Sequence, residues 1–438
     1  MNELLRPNET VTTLATNQQC RVEKFLGGGG QGEVYKADLA GTPVALKWYF
    51  PQSATPEQRA ALEELIRLGA PDNRFLWPLD LATGQGIEGF GYVMPLRDLR
   101  FKGIVDLMRS RIDPSFRNLA KAGCQLADSY LRLHSKGLCY RDISFGNVFF
   151  DPNTGDILIV DNDNVGINAG QRGGVLGTPR FMAPEVVRGE AHPSTQTDLF
   201  SLSVLLFYMF MVHHPLEGKK ESEIKCFDLP AMNKLYGSSP IFIFDPANDA
   251  NKPVPGFHDN AIEFWPLYPE FLKTLFIRAF TDGIRDPEHG RVRESEWRAA
   301  MVKLADSIFP CAHCASENFY DAARVKTGSS VGKCWSCKRE LQLPARIRIG
   351  NSVVLLNANA ELCQHHIDAT GGYDFTKVIA SVAQHPTDPS IWGLRNKSAA
   401  RWTCTSLDGK IADVELGKSV KLQSGTRINF GTAEGEIR

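Results

Sequence analysis

The sequence predicts an α+β fold class: a large α/β unit, then a short cysteine-bearing segment, then an all-β C-terminal domain. Three observations carry this. β-Branched and aromatic-rich stretches at Arg21–Leu26, Glu33–Ala37 and Pro43–Tyr49 precede segments of helical periodicity. Two Cys-x-x-Cys pairs fall within residues 309–343. Residues 345–438 show short apolar alternations broken by Gly, Asn, Asp and Pro.

A chain of 438 residues is long enough for two or three domains. A formal net charge of −1 gives no global field for nucleic acid or an anionic membrane, and no basic run is interleaved with aromatics. The start of the chain is polar and carries both charge signs, so no signal peptide is expected. The longest apolar run, Leu199 to Val212, is about 14 residues and contains Ser201 and Ser203; it reads as a buried helix, being too short for a bilayer. Ten cysteines, four of them in the two pairs and six scattered, point to a reducing compartment, hence the cytoplasm, and one metal site.

Residues 1–16 read as a polar tail and 17–308 as the large unit. Within it, Gly27-Gly28-Gly29-Gly30-Gln31-Gly32-Glu33-Val34 holds Gly-x-Gly-x-x-Gly-x-Val at Gly27, Gly29, Gly32 and Val34. Glycines let a hairpin backbone approach phosphates with no Cβ in the way. Val44-Ala45-Leu46-Lys47 follows on a third strand and offers Lys47 to the same phosphates. The helix Pro56–Leu68 supplies a carboxylate to fix Lys47. Its stripe of Leu62, Leu65, Ile66 and Gly69 is bordered by Glu63, with Glu64 nearly opposite, so Glu63 is the expected partner and Glu64 the fallback. The competing reading has Glu63 on the surface, paired with Arg67. Tyr92-Val93-Met94-Pro95-Leu96 reads as an inner strand ending in a hinge, with Met94 at the back of a pocket. The segment Phe116–Lys136 repeats Leu119, Gly123, Leu126, Tyr130 and Leu133 at helical spacing. Asp142 and Asn147 then stand five residues apart in Tyr140-Arg141-Asp142-Ile143-Ser144-Phe145-Gly146-Asn147, and Asp161 follows nineteen residues after Asp142, in Asp161-Asn162-Asp163.

Together these motifs resemble a eukaryotic-like (Hanks-type) bacterial Ser/Thr protein kinase, over roughly residues 17–308. The resemblance implies a bilobal protein kinase fold, N-lobe 17–95 and C-lobe 96–308. It implies ATP as phosphoryl donor, gripped by the glycine turn, Lys47 and Met94, with Asp142 as base or orienting group for a protein hydroxyl. Asn147 and Asp161 would hold Mg²⁺ or Mn²⁺. Gly177-Thr178-Pro179 through Ala183-Pro184-Glu185 resembles the substrate-site loop, with Thr178 shaping that site; Asp286 to Arg291 resembles the late motif whose arginine pairs with Glu185. Small-molecule kinases of related fold lack that loop, so a protein substrate is implied.

The chain departs from the family at three places. Tyr140 replaces a histidine, Ser144 stands where a lysine usually reaches the γ-phosphate, and Asp161-Asn162-Asp163 replaces Asp-Phe-Gly. The extra carboxylate of Asp163 either binds metal or points away. Between Asp161 and Thr178 there is no Ser, Thr or Tyr, so control is expected from partners or C-terminal domains rather than phosphorylation of that stretch.

Cys311, Cys314, Cys334 and Cys337 give Cys-x₂-Cys-x₁₉-Cys-x₂-Cys, four thiolates for a structural Zn²⁺ in a zinc ribbon over 309–344. Residues 345–438 resemble a forkhead-associated β-sandwich, with Arg395, Asn396 and Ser398 as candidate phosphate contacts that also read as strand and turn residues. The order kinase, zinc ribbon, sandwich is similar to kinases of tellurite-resistance-associated phosphorylation clusters. That implies a metal-dependent phosphatase and a von Willebrand A-type protein as partners; the charge balance and the short apolar runs predict no nucleic acid and no membrane span. The alternatives are a nucleotide-binding pseudokinase scaffold and a phosphopeptide-binding adaptor.

Overall fold

The computed structural model describes residues 4–167, 176–321, 331–358, 360–368, 370 and 372–438. It divides into two compact units: Met1–Pro114, Lys121–Phe264 and Thr274–Arg298 form the first, and Ser115–Ala120, Trp265–Lys273 and Ala299–Arg438 the second.

The first unit opens with a closed antiparallel barrel. Its strands are β1 (Thr10–Thr13), β2 (Gln19–Gly28), β3 (Gly32–Leu39), β4 (Thr42–Tyr49), β5 (Asp80–Gly84) and β6 (Ile87–Pro95), in the order β1-β2-β3-β4-β6-β5. Alternation explains the register. Val22, Tyr35, Ala37, Val44 and Leu46 all turn inward to one apolar core. Residues 4–16 are not a loose tail, contrary to the expectation for residues 1–16. Leu5 and Val11 are fully buried in that core, and β1 pairs with both β2 and β5, which closes the barrel. The Leu4 amide donates to Glu33 (2.8 Å), the Leu5 amide to the Tyr35 hydroxyl (3.0 Å), and the Ala15 and Thr16 amides to Asp80. Polar composition concealed this because alternate residues alone carry the burial.

Helix α1 (Pro56–Leu68) lies between β4 and β5. Thr55 caps it and Pro56 sits at its first turn, where a missing N–H costs nothing. Leu62 and Leu65 are its buried residues, and the Trp77 indole donates to the Leu65 carbonyl at 2.8 Å, which fixes the rotation of the helix. After β6 the unit becomes helical. Thr195–Met211, capped by Ser194, is buried from Thr197 to Met211, as a helix apolar on nearly every side requires, and its Ser201 and Ser203 hydroxyls donate to backbone carbonyls. Two short antiparallel strand pairs flank the sequence motifs: the hairpin Val148–Phe150 with Ile157–Ile159, and Leu138–Cys139 with Gly166–Ile167, which brackets that hairpin in sequence. No helix among the described residues is long and apolar enough to cross a membrane.

The second unit holds the cysteine segment and two antiparallel sheets. One sheet has six strands, ordered Ser352–Leu355, Arg346–Ile349, Glu434–Ile437, Arg427–Asn429, Trp402–Thr405, Ile411–Val414; the other has four, ordered Glu361–Cys363, Val378–Gln384, Trp392–Asn396, Ser419–Lys421. Leu362, Leu394, Trp402, Ile428 and Ile437 belong to a single apolar core that draws on both sheets. The unit begins at Ala299, before the boundary at 308 that the sequence suggested, and it also takes in 115–120 and 265–273. The cause is an aromatic cluster. Phe116 packs on Tyr268 (5.7 Å between centroids), Phe319 (5.0 Å) and Trp335 (6.2 Å), joining segments far apart in the chain.

Candidate active site

The site is assembled from the barrel and from the loops around the two strand pairs. Gly27, Gly28, Gly29, Gly30, Lys47, Asp142, Asn147 and Asp161 line one cavity of about 850 Å³, in the size range of small-ligand sites. Gly29 donates to the Gly32 carbonyl at 2.9 Å and closes the hairpin between β2 and β3. A Cβ on Gly27, Gly29 or Gly30 would meet nothing within 4 Å, whereas one on Gly32 would meet the Trp48 carbonyl oxygen at 2.2 Å. The first three glycines therefore leave an open cradle, and Gly32 is demanded by packing against β4. Val34, Ala45, Met94 and Phe149 line the apolar part of the same cavity.

Asp142 is held on two sides. The Thr178 amide and hydroxyl both donate to its Oδ1, at 2.9 and 2.8 Å, and Asn147 Nδ2 donates to its Oδ2 at 3.1 Å and to its carbonyl at 2.8 Å. The loop bearing it is anchored by the buried Asp198, whose carboxylate accepts the Tyr140 and Arg141 amides at 2.5 and 3.0 Å. His134 bridges Asp198 and Glu294. Burial opposes charge on His134, but the two carboxylates outweigh it and lift its pKa to about 9. Tyr140, fully buried, donates its hydroxyl to the Val160 carbonyl and so ties the catalytic loop to the strand that leads into Asp161.

Lys47 is 5 % exposed and makes no bond to a helix glutamate. Its ammonium donates to Asp161 Oδ1 at 2.5 Å and to both oxygens of Asp163 at 3.0 and 2.8 Å. Burial alone would lower the Lys47 pKa; Asp163 and then Asp161 reverse this and raise it. Asp163 resists burial in the same way, with Lys47 and the Tyr49 hydroxyl holding its carboxyl below the usual range. Asp161 is pushed up instead, by burial and by the neighbouring Asp163 charge, against the pull of Lys47. It adopts left-handed backbone (φ 59°), which aspartate tolerates better than most residues.

Glu63 does not take the role assigned to it. It is exposed and pairs with Arg59 at 3.1 Å, while Glu64 pairs with Arg67 at 2.6 Å. The packing of Leu62 and Leu65 turns both glutamates outward. The residue on the inward face is Gln58, whose amide donates to the Tyr49 hydroxyl (3.1 Å) and the Asp163 carbonyl (3.3 Å). Tyr49, Gln58 and Gln31, which bonds Asn164 at 3.0 Å, were not foreseen as site residues, and Asp163, expected to bind metal or to point away, holds Lys47 instead. For Gln58 a signal existed: it lies four residues before Leu62, on the same helix face. Asn162 occupies the place of the apolar plug. It is fully buried and donates to the Leu76 and Ile159 carbonyls at 2.9 and 3.1 Å, a polar anchor in the place of a packed ring. Residues 168–175 of the stretch without hydroxyls lie outside the described residues.

Elsewhere, Glu185 and Arg291 form a buried ion pair at 2.5 Å. The Sγ atoms of Cys311, Cys314, Cys334 and Cys337 lie within 4.8 Å of one another, with Cys311–Cys337 at 3.7 Å and Cys314–Cys334 at 3.6 Å. Thiolates on a tetrahedral zinc with bonds of about 2.3 Å stand roughly 3.8 Å apart, so the donor set fits that ion. Hydrogen bonds from Ser316 draw the Cys314 thiol down to about 6, which favours the thiolate. His313 accepts from Arg339 at 3.2 Å and stands outside the quartet.

Residues 100–264 match the protein kinase domain family. The match takes in Asp142, Asn147 and Asp161; the glycine turn and Lys47 precede it. The chain is 26 % identical over 242 residues to a probable serine/threonine-protein kinase of Dictyostelium discoideum, covering 53 % of this chain and 14 % of that one. It is 29 % identical over 223 residues to the DNA damage-responsive serine/threonine-protein kinase RqkA of Deinococcus radiodurans, covering 46 % and 31 %. With the serine/threonine-protein kinase pkn2 of Myxococcus xanthus it shares 27 % over 223 residues, covering 47 % and 26 %. The chain thus spans less than a third of each of these relatives. The similarity to these kinases extends over about half of this chain.

Proposed function

We propose that this protein transfers the γ-phosphoryl group of ATP to a serine or threonine hydroxyl of a protein substrate. The observation that carries the reading is the meeting of Lys47, Asp142, Asn147 and Asp161 in one cavity under an open glycine turn. Gly27, Gly29 and Lys47 would grip the phosphates, and Ala45, Val34 and Met94 the base. Pro95 has no N–H, so the hinge offers its carbonyls and the amides beyond it. Asn147 and Asp161 supply the oxygen donors for Mg²⁺ or Mn²⁺, which neutralises charge on the transferring group when bound. Asp142, oriented by Thr178 and Asn147, receives the substrate hydroxyl, and Thr178 borders the substrate site.

Asp163 does for Lys47 what a helix glutamate does in the family. The clamp on the lysine is then built into the Asp161–Asp163 segment itself, and does not wait on a glutamate from α1. This favours control through partners or the C-terminal unit. The four cysteines are proposed as a zinc ribbon and residues 345–438 as a forkhead-associated-like sandwich. In that sandwich Asn396 is spent on structure: fully buried, it bonds the Ala400 and Val414 carbonyls. A metal-dependent phosphatase and a von Willebrand A-type protein are the partners that the domain order suggests, and the cytoplasm the compartment.

Labelled-ATP transfer, with phosphosites read by mass spectrometry and Asp142→Asn as control, tests the reading. Transfer that depends on Asp142 is the expected result. Nucleotide binding without Asp142-dependent transfer would favour the pseudokinase scaffold, a reading prompted by Ser144 in the lysine position and Asn162 in the plug position.

A further inference from the structure

We propose that the second unit holds a binding site for a small aromatic phosphomonoester, separate from the nucleotide cleft and independent of the kinase reading. A cavity of about 730 Å³ opens there beside the helix end Ala299–Asp306, the strand Arg346–Ile349 and the turn Gln364–Ile367. That volume suits a small organic ligand.

Its wall is cationic. Lys303, Arg346, Arg348 and Arg438 all line it. Two carboxylates line it as well, but both are engaged: Asp306 Oδ1 with His366 Nε2 at 3.1 Å, and Asp321 Oδ2 with the Glu270 amide at 3.0 Å. Arg438 is tied to Glu436 at 2.9 Å. Lys303 and Arg346 lie over rings, Phe271 at 4.2 Å and Tyr320 at 5.8 Å, and among the described residues neither has a carboxylate within ion-pair distance. Two cations held over aromatic faces at a cavity wall, without a fixed counter-charge, are prepared for an anion.

His365 supplies the independent sign. It is 7 % exposed, lines the cavity, and neither ring nitrogen has a hydrogen-bond partner. Burial, with His366 beside it (4.2 Å between ring centroids), holds the imidazole neutral by pulling its pKa down to about 4. Asp306, and Asp374 through its backbone and carboxylate, pull the pKa the other way with smaller effect. A buried polar ring that satisfies neither nitrogen is costly, and the cost is removed when a ligand brings the missing partner. A neutral imidazole donates from one nitrogen and accepts at the other, which suits a phosphate oxygen or its proton. Phosphate takes several charge-assisted bonds from guanidinium and ammonium donors at once, and Phe271, Tyr320 and Tyr373 line the same cavity and give it aromatic surface for a flat organic body.

The test is calorimetric titration of the full zinc-loaded chain with phenyl phosphate, beside inorganic phosphate and a phosphothreonine peptide. The expected result is binding of phenyl phosphate in preference to the other two. Arg346→Ala and Lys303→Ala each weaken it by about tenfold or more, roughly 1.4 kcal/mol. His365→Phe weakens it while the melting temperature of the free protein is kept, and Lys47→Ala leaves it unchanged. No binding of phenyl phosphate overturns the proposal. So does binding that survives the cavity substitutions and disappears in Lys47→Ala, which would place it in the nucleotide cleft. Equal affinity for inorganic phosphate overturns the organic class, and preference for the peptide would assign the cavity to a phosphorylated protein instead.

Discussion

At the scale of single residues, the decisive contact is between Lys47 and Asp163. A buried ammonium needs a fixed counter-charge, and here two carboxylates from one short segment provide it. Asp163→Asn is expected to lower kcat/KM by about 10²-fold through misplacement of Lys47. Adding Gln58→Glu, which puts a carboxylate on the inward face of α1, should recover part of the loss. A steady-state assay of both variants checks this, and an Asp163→Asn enzyme as active as the parent would remove Asp163 from its positioning role. Glu63→Ala, by contrast, should leave the ATP KM unchanged and shift stability by less than about 0.5 kcal/mol, since it removes only an exposed pair. A large loss of activity in that variant would restore Glu63 to the site.

At the scale of elements, buried polar pairs hold the catalytic loop to the helices behind it. His134 joins the helix Phe116–Ser135 to Asp198 and Glu294. Its pKa is raised from 6.5 to about 9, so its charge is stabilised in the folded state. That contribution is fully present below pH 6.5 and is lost as pH rises through about 9. Denaturant unfolding should therefore show stability falling over this window, and His134→Gln should flatten the fall; an unchanged slope would exclude His134 as the source. The Arg291–Glu185 pair is nearly solvent-free on both sides, and Arg291→Ala leaves Glu185 buried without its partner. A loss of about 3–5 kcal/mol is expected, read from the urea midpoint. A cost near zero would mean that water reaches Glu185 once the arginine is gone.

At the scale of the whole molecule, the two units draw on different sources of stability. The barrel and helices of the first have extensive apolar cores, while the described residues of 309–343 in the second have few buried apolar side chains and four clustered thiols. Chelation of zinc should raise hydrogen exchange across the described part of 309–343 and leave the β1–β6 barrel protected; uniform protection in both would argue that no metal sustains the segment. Much of this was legible in the sequence. Asp142 and Asn147 share the loop that leads into Val148–Phe150, Asp161 follows the strand Ile157–Ile159 paired with it, and the Cys-x-x-Cys turns present paired thiols by local geometry alone. Strands β2, β3 and β4 followed from their β-branched and aromatic-rich stretches, and the Glu185–Arg291 pair from the family resemblance. The partner of Lys47 could not be read this way, because it depends on how α1 is rotated about its axis. The burial of Leu62 and Leu65 and the Trp77 bond to Leu65 set that rotation, turning Glu63 to solvent and Gln58 inward. The same holds for residues 4–16, whose few apolar side chains count only because a closed barrel gives them a core to enter. Local spacing is written along the chain, whereas the face an element presents is chosen by everything packed against it.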